Sequence, residues 1–160
     1  MGPMGPMGPI HLFVDGDGCP VKEEVYRVAR RYGLKVYLVS NAMMRAPYAF
    51  IEVVAAKGGQ DAADDWIADH IGPGDITITA DIELASRCLK KGARAIGPKG
   101  QAFTEDSIGS ALATRALMDQ LRQTGVVTGG PAPFSKQDRS RFLARLDDAV
   151  QAIRRGQSRS

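Results

Sequence analysis

The stretch IHLFVDGDGCPVKEEVYRVARRYGLKVYLVS, residues 10–40, decides the fold. Ile10 to Val14 form an apolar run, and Asp15 follows at once. Val21, Val25, Val28 and Ala29 then recur at helical spacing, and Lys35 to Ser40 make a second run, mostly apolar. A strand, a helix and a strand in that order are the unit from which parallel sheets are built. Two carboxylates, Asp15 and Asp17, therefore stand at the mouth of a strand that the sheet buries.

Working outward, the alternation continues. FIEVVAA (50–56) reads as a strand, DAADDWIADHI (61–71) as a helix, DITIT (75–79) as a strand, IELASRCLKK (82–91) as a helix and ARAIG (93–97) as a strand. After the turn GPKG (97–100), a long helix is expected from about Thr104 to Thr124, stopped by Gly125. VVTGGPAPF (126–134) reads as a loop. Ser135 with Asp138 forms a capping-box pattern opening a last helix, whose apolar stripe is Phe142, Leu146, Ala149 and Ile153. The expected architecture is a three-layer α/β/α sandwich with a mostly parallel sheet, in one domain spanning residues 10–154.

The ends are set apart from that domain. MGPMGPMGP (1–9) repeats one triplet three times, too few for a collagen helix, and is read as a disordered leader or an expression artefact. Residues 155–160 are read as a basic tail. The 160 residues carry a formal charge of +3, and residues 136–160 hold 7 Lys/Arg against 3 Asp, so the basic excess is C-terminal. Such an excess suits a phosphate backbone, and equally a solvated terminus.

No apolar run reaches the 18 residues a membrane helix needs, and no secretory signal pattern opens the chain, which makes the cytoplasm the expected setting. Cys19 and Cys88 lack CxxC or histidine company, which argues against a zinc site or a disulfide framework. Cys88 reads as a small buried hydrophobe, and His11 and His70 as structural.

In a parallel sheet the carboxyl ends of all strands share one rim, where ligands bind. Asp15 and Asp17 follow the first strand, Ser40 and Asn41 end the second, and Thr79 and Asp81 follow DITIT. Asp61, Asp64 and Asp65 open the helix after the third strand, and Lys99 follows the last strand. Carboxylates crowded on one rim raise each other's pKa unless a cation neutralises them. Oxygen ligands without His or Cys suit a hard divalent ion, Mg²⁺ or Mn²⁺. The candidate ligands are Asp15, Asp17, Asp61, Asp64 and Asp81. Each of several has a local alternative: Asp17 bonding its own turn, Asp61 and Asp81 capping helices, Asp65 facing solvent. Pro20 is expected at the first position of the first helix. Arg45, in NAMMRAPYAF, is a candidate phosphate contact.

VDGDGCPVKEEVYRVARRYG, GQDAADDWIAD, ITADIELASRCLKKGARAIGPKG, FTEDSIGSALATR and GGPAPFSKQDRSRFL, in this order, resemble the YaiI/YqxD family of bacterial proteins, over nearly all of Ile10 to Ile153. That family is grouped with PIN-like domains, typically metal-dependent ribonucleases. The resemblance implies a catalytic set of Asp15, Asp64 and Asp81, with Thr79 beside them and Mg²⁺ or Mn²⁺ as cofactor. It implies RNA as partner, steered by Lys99, Arg45, Lys136 and Arg139. The further acidic residue of an early PIN helix has only Glu52 as a weak counterpart. FVDGDG also resembles the haloacid-dehalogenase motif, with Asp15 as nucleophile, Asp17 as acid/base and Ser40 on the phosphoryl group. A non-catalytic module binding RNA or protein is the remaining alternative.

Overall fold

The computed structural model describes residues 9–17, 19–59, 61–125 and 134–158. Most of the leader and nearly all of the expected loop 126–134 lie outside them. The elements in chain order are β1 (His11–Asp15), α1 (Lys22–Tyr32), β2 (Lys35–Ser40), β3 (Ile51–Ala55), α2 (Ala62–His70), β4 (Ile76–Ile78), α3 (Ile82–Lys90), β5 (Arg94–Ile96), α4 (Glu105–Gln123) and α5 (Lys136–Ser158). Every strand and helix expected from the pattern is present.

The five strands form one sheet in the order β3-β2-β1-β4-β5, and all four pairings are parallel. Leu12 and Val14 of β1 bury toward α1 and α5, while Phe13 between them turns to the opposite face, under α2 and α3. Helices on both faces explain why the strands read as continuous apolar runs rather than alternating ones. The layers are α1 and α5, the sheet, then α2 and α3, with α4 packed beside α3 through Ala85, Ala95, Phe103 and Ile108. Among the described residues, no helix is long and apolar enough to cross a membrane.

The last helix is integral to this body. Phe142, Leu146, Ala149, Val150 and Ile153 are all buried in the same cluster as β1 and α1. The capping box forms as the sequence suggests, with Asp138 N donating to Ser135 Oγ at 3.1 Å and Ser135 N donating to Asp138 Oδ2 at 3.0 Å. α5 runs through Ser158 and so takes in residues 155–158 of the segment read as a basic tail. Gly125 closes α4 with φ of 78°, a left-handed conformation that glycine adopts without a Cβ penalty. Pro20 is displaced from its expected position, because α1 begins at Lys22 with Val21 as N-cap.

A polar clasp ties α5 to α1. Tyr32 Oη donates to Asp147 Oδ1 at 2.8 Å, Gln151 Nε2 donates to the same oxygen at 2.6 Å, and Arg31 pairs with Oδ2. Burial alone would raise the pKa of Asp147, but bonds from Tyr32, Gln151 and Arg31 outweigh it and hold the carboxyl below its usual range. Asp147→Ala is expected to cost about 1–3 kcal/mol in urea unfolding, since the charged hydrogen bonds from Tyr32, Gln151 and Arg31 are lost.

Candidate functional site

The strand order reverses at β1, with β2 and β3 on one side and β4 and β5 on the other. Ligands of open parallel sheets bind outside the strand ends at such a reversal, here the crevice between β1 and β4. Period-2 alternation sends Asp15 to the same face as Phe13, the face that α2 covers. Thr79 follows β4 and is 2% exposed. Its hydroxyl donates to Asp15 Oδ2 at 3.2 Å and accepts from the Asp81 backbone N–H at 3.0 Å. One hydroxyl thus fixes a carboxylate of β1 against the entry to α3.

Asp81 caps α3, its Oδ1 accepting from the N–H groups of Glu83 at 2.9 Å and Leu84 at 3.2 Å. The capping alternative is therefore realised, and it does not remove Asp81 from the rim. Asp64, on the first turn of α2, lies close enough to Asp15 and Asp81 to feel both charges. Burial, followed by the charges of Asp15 and Asp81, pushes Asp64 up to about 7. Asp15 is also raised, mainly by burial, with the Thr79 bond opposing and the charges of Asp17 and Asp81 adding. Three carboxylates from β1, α2 and the α3 cap thus form one electrostatic unit. Among the described residues, no three acidic, His or Cys side chains form a ready-made metal shell.

The other candidates divide. Asp17 accepts from Ser40 Oγ at 2.8 Å and from Asn41 N at 3.1 Å, so it fastens the first turn to the end of β2 rather than bonding its own turn. Ser40 is fully buried and its Oγ also accepts from Ala42 N, so it holds Asp17 in place. Asp61 is exposed at the N-cap of α2 and makes no capping bond with its side chain. Asp65 faces outward and pairs with Arg87 at 2.8 Å. Glu52 pairs with Lys35 near the opposite ends of the strands and does not join the rim. Arg139 donates to the Pro20 carbonyl at 2.7 Å, pairs with Glu24 and lies over Phe134. Arg45 and Lys136 are exposed, and Lys99 is half-buried near Asp138.

Gly16 is required by packing. Its N–H donates to Val39 O at 2.7 Å, and a Cβ there would meet Leu38 Cδ1 at 2.9 Å. A cavity of about 50 Å³ lies beside this turn, lined by Asp15, Asp17, Cys19, Thr79 and Pro98 among others. Burial raises the Cys19 thiol, despite a backbone bond from Val21, so no thiolate nucleophile is offered.

A family model described as "Uncharacterized BCR, YaiI/YqxD family" matches residues 13–152. The chain belongs to the YaiI/YqxD family. It is 59% identical over 145 residues to a UPF0178 protein of Rhodopseudomonas palustris strain TIE-1, covering 90% of this chain and 92% of that one. It is 56% identical over 149 residues to UPF0178 protein Rru_A0086 of Rhodospirillum rubrum, covering 92% and 99%. No solved structure matches the chain.

In this YaiI/YqxD protein two features of the rim escape the sequence reading. Pro98 closes the small cavity from the β5 side, and Arg87 stands close enough to Asp64 to feel its charge. Nothing in a Gly-Pro turn or an exposed-looking helical Arg signals either role. Thr79, expected beside substrate, acts from within as the pivot between Asp15 and Asp81. Thr79→Val is expected to cost about 1–3 kcal/mol, because the Asp81 N–H and an Asp15 oxygen lose a buried partner. Thr79→Ser should restore most of that loss in the same urea titration.

Proposed function

We propose that this YaiI/YqxD protein is a PIN-like, divalent-metal-dependent ribonuclease in which Asp15, Asp64 and Asp81 hold Mg²⁺ or Mn²⁺ at the β1/β4 crevice. The observation that carries this reading is the Thr79 hydroxyl bonded at once to Asp15 and to the backbone of Asp81, with Asp64 close enough to feel the charges of both carboxylates. Three separate elements bring oxygen ligands to the place where a parallel sheet binds its ligand. The donor set fits a hard ion: it consists of carboxylates, and the nearby Cys19 remains a neutral thiol. When bound, such an ion lowers the pKa of a water and offsets the charge developing on the phosphate.

The chain's own residues supply the rest. Asp15 is held in place by Thr79, and Asp81 by its cap, so that the carboxylate most readily turned toward a cation is Asp64. Exposed Arg45 and Lys136, with Lys99, provide cationic contacts for an RNA backbone, and binding should weaken as salt rises. A cytoplasmic setting accords with two cysteines that are both free thiols.

Labelled single-stranded RNA incubated with Mn²⁺ tests the reading. Cleavage is expected, abolished by chelation and by Asp15→Asn. RNA retained without cleavage would instead support a binding module. Turnover of a small phosphomonoester, lost in Asp15→Asn and trapped by a phosphate mimic, would support the haloacid-dehalogenase chemistry.

A further inference from the structure

On the flank of β5 away from the acidic crevice, a cavity of about 460 Å³ opens between that strand and α5. Its size falls within the roughly 300–1,000 Å³ of small-molecule sites. The floor is apolar, formed by Phe103, Ala149 and Ala152, and three arginines surround it: Arg94, Arg145 and Arg155. None of Asp15, Asp64 and Asp81 lines it.

The arrangement originates in α5. Residues 145, 148, 149, 152 and 155 recur at near-helical spacing along one side, next to the stripe that enters the core. The alanines leave room where larger side chains would close the gap. Arginines crowded around an apolar floor repel one another unless carboxylates neutralise them. Among the described residues one carboxylate, Asp148, lines the cavity, and no ion pair joins it to any of the three arginines. Arg145 is tied through Nε to the Gly100 carbonyl at 3.2 Å, while Arg94 and Arg155 make no side-chain bond among the described residues.

We propose that this cavity binds the terminal phosphate of a nucleotide, with the attached nucleoside against the apolar floor. Guanidinium groups engage phosphate bidentately and stack on bases, and three of them exceed Asp148 by two charges, matching a phosphomonoester dianion. A free mononucleotide and the phosphorylated end of an RNA present the same chemistry. The site stands apart from the ribonuclease reading and does not depend on it.

Calorimetric titration of the full chain with adenosine 5′-monophosphate, and anisotropy of a short RNA bearing a 5′-phosphate or a 5′-hydroxyl, test it at low salt. Binding that requires the phosphate is expected, weakened about tenfold or more by the paired exposed changes Arg94→Gln and Arg155→Gln. Ala152→Leu, filling the floor, should weaken it similarly, with circular dichroism confirming the fold; the paired arginine variant decides if Ala152→Leu misfolds. Tighter binding of the mononucleotide identifies a free nucleotide as ligand, and tighter binding of the phosphorylated RNA identifies an RNA end. No binding at millimolar probe, equal binding of the 5′-hydroxyl RNA, or affinity unchanged by the arginine pair would overturn the proposal.

Discussion

Asp64→Asn should abolish Mn²⁺-dependent RNA cleavage while making the metal-free protein more stable above neutral pH. The first effect is expected to reach roughly 10³-fold, since a lost metal ligand removes several kcal/mol of charge stabilisation. The second follows from the direction of the pKa shift. Asp64 ordinarily titrates near 3.8 and is pushed to about 7 in the folded chain, first by burial and then by Asp15 and Asp81. The folded state therefore binds the proton more tightly than the unfolded one. Stability from that proton is fully present below pH 4 and is lost as pH rises toward 7.

Full conversion of the shift would give about 4 kcal/mol, but Asp64 is half-buried and solvent screens it, leaving about 1–2 kcal/mol. Asparagine keeps the shape and removes the charge facing Asp15, Asp61 and Asp81. It also gives up a favourable interaction with the α2 dipole and with Arg87, about 0.3–1 kcal/mol, so the repulsion term wins. Urea titrations at pH 8 and pH 4 check the sign: the variant should be the more stable at pH 8, with the advantage gone at pH 4. A variant less stable than the wild type at pH 8 would mean that Asp64 is already neutralised by a group other than a proton.

Phe142→Ala should be the most destabilising single change in α5, at about 3–5 kcal/mol. Phe142 is fully buried and heads the largest of the core side chains, inside the cluster that joins β1, α1 and α5. With native stabilities of about 5–15 kcal/mol, such a loss is a large part of the total. At about 2–4 °C per kcal/mol for a chain of this size, the melting temperature should fall by roughly 10 °C. Phe142→Leu should recover much of it. A drop of only a degree or two would show that α5 is an appendage rather than a layer of the sandwich.

The fold was legible because its signals are local and periodic. Strand runs buried on both faces, helical spacing in Val21, Val25, Val28 and Ala29, and the Ser135/Asp138 capping pair each report their own element. The site was legible only to the extent that topology implies it: a parallel sheet places Asp15, Thr79 and Asp81 on one rim whatever their side chains do there. What each side chain does depends on long-range geometry. Asp17 resembles its neighbour Asp15 in sequence, yet it is taken up by Ser40 and Asn41 from β2. Arg139 looks like a free cation, yet it reaches 119 residues back to Pro20. Asp61 occupies the cap position that its residue type favours, and Asp64 three residues on is the one turned toward the crevice.

The claim on which the chemistry rests is that carboxylates from β1, α2 and the α3 cap form one centre for a divalent cation. A crystal soaked in Mn²⁺ and measured at the manganese absorption edge tests it most directly. An anomalous peak within coordination distance of Asp15 and Asp64, with Asp81 in its inner or water-bridged shell, is the predicted result. A crevice empty at millimolar Mn²⁺ would contradict it.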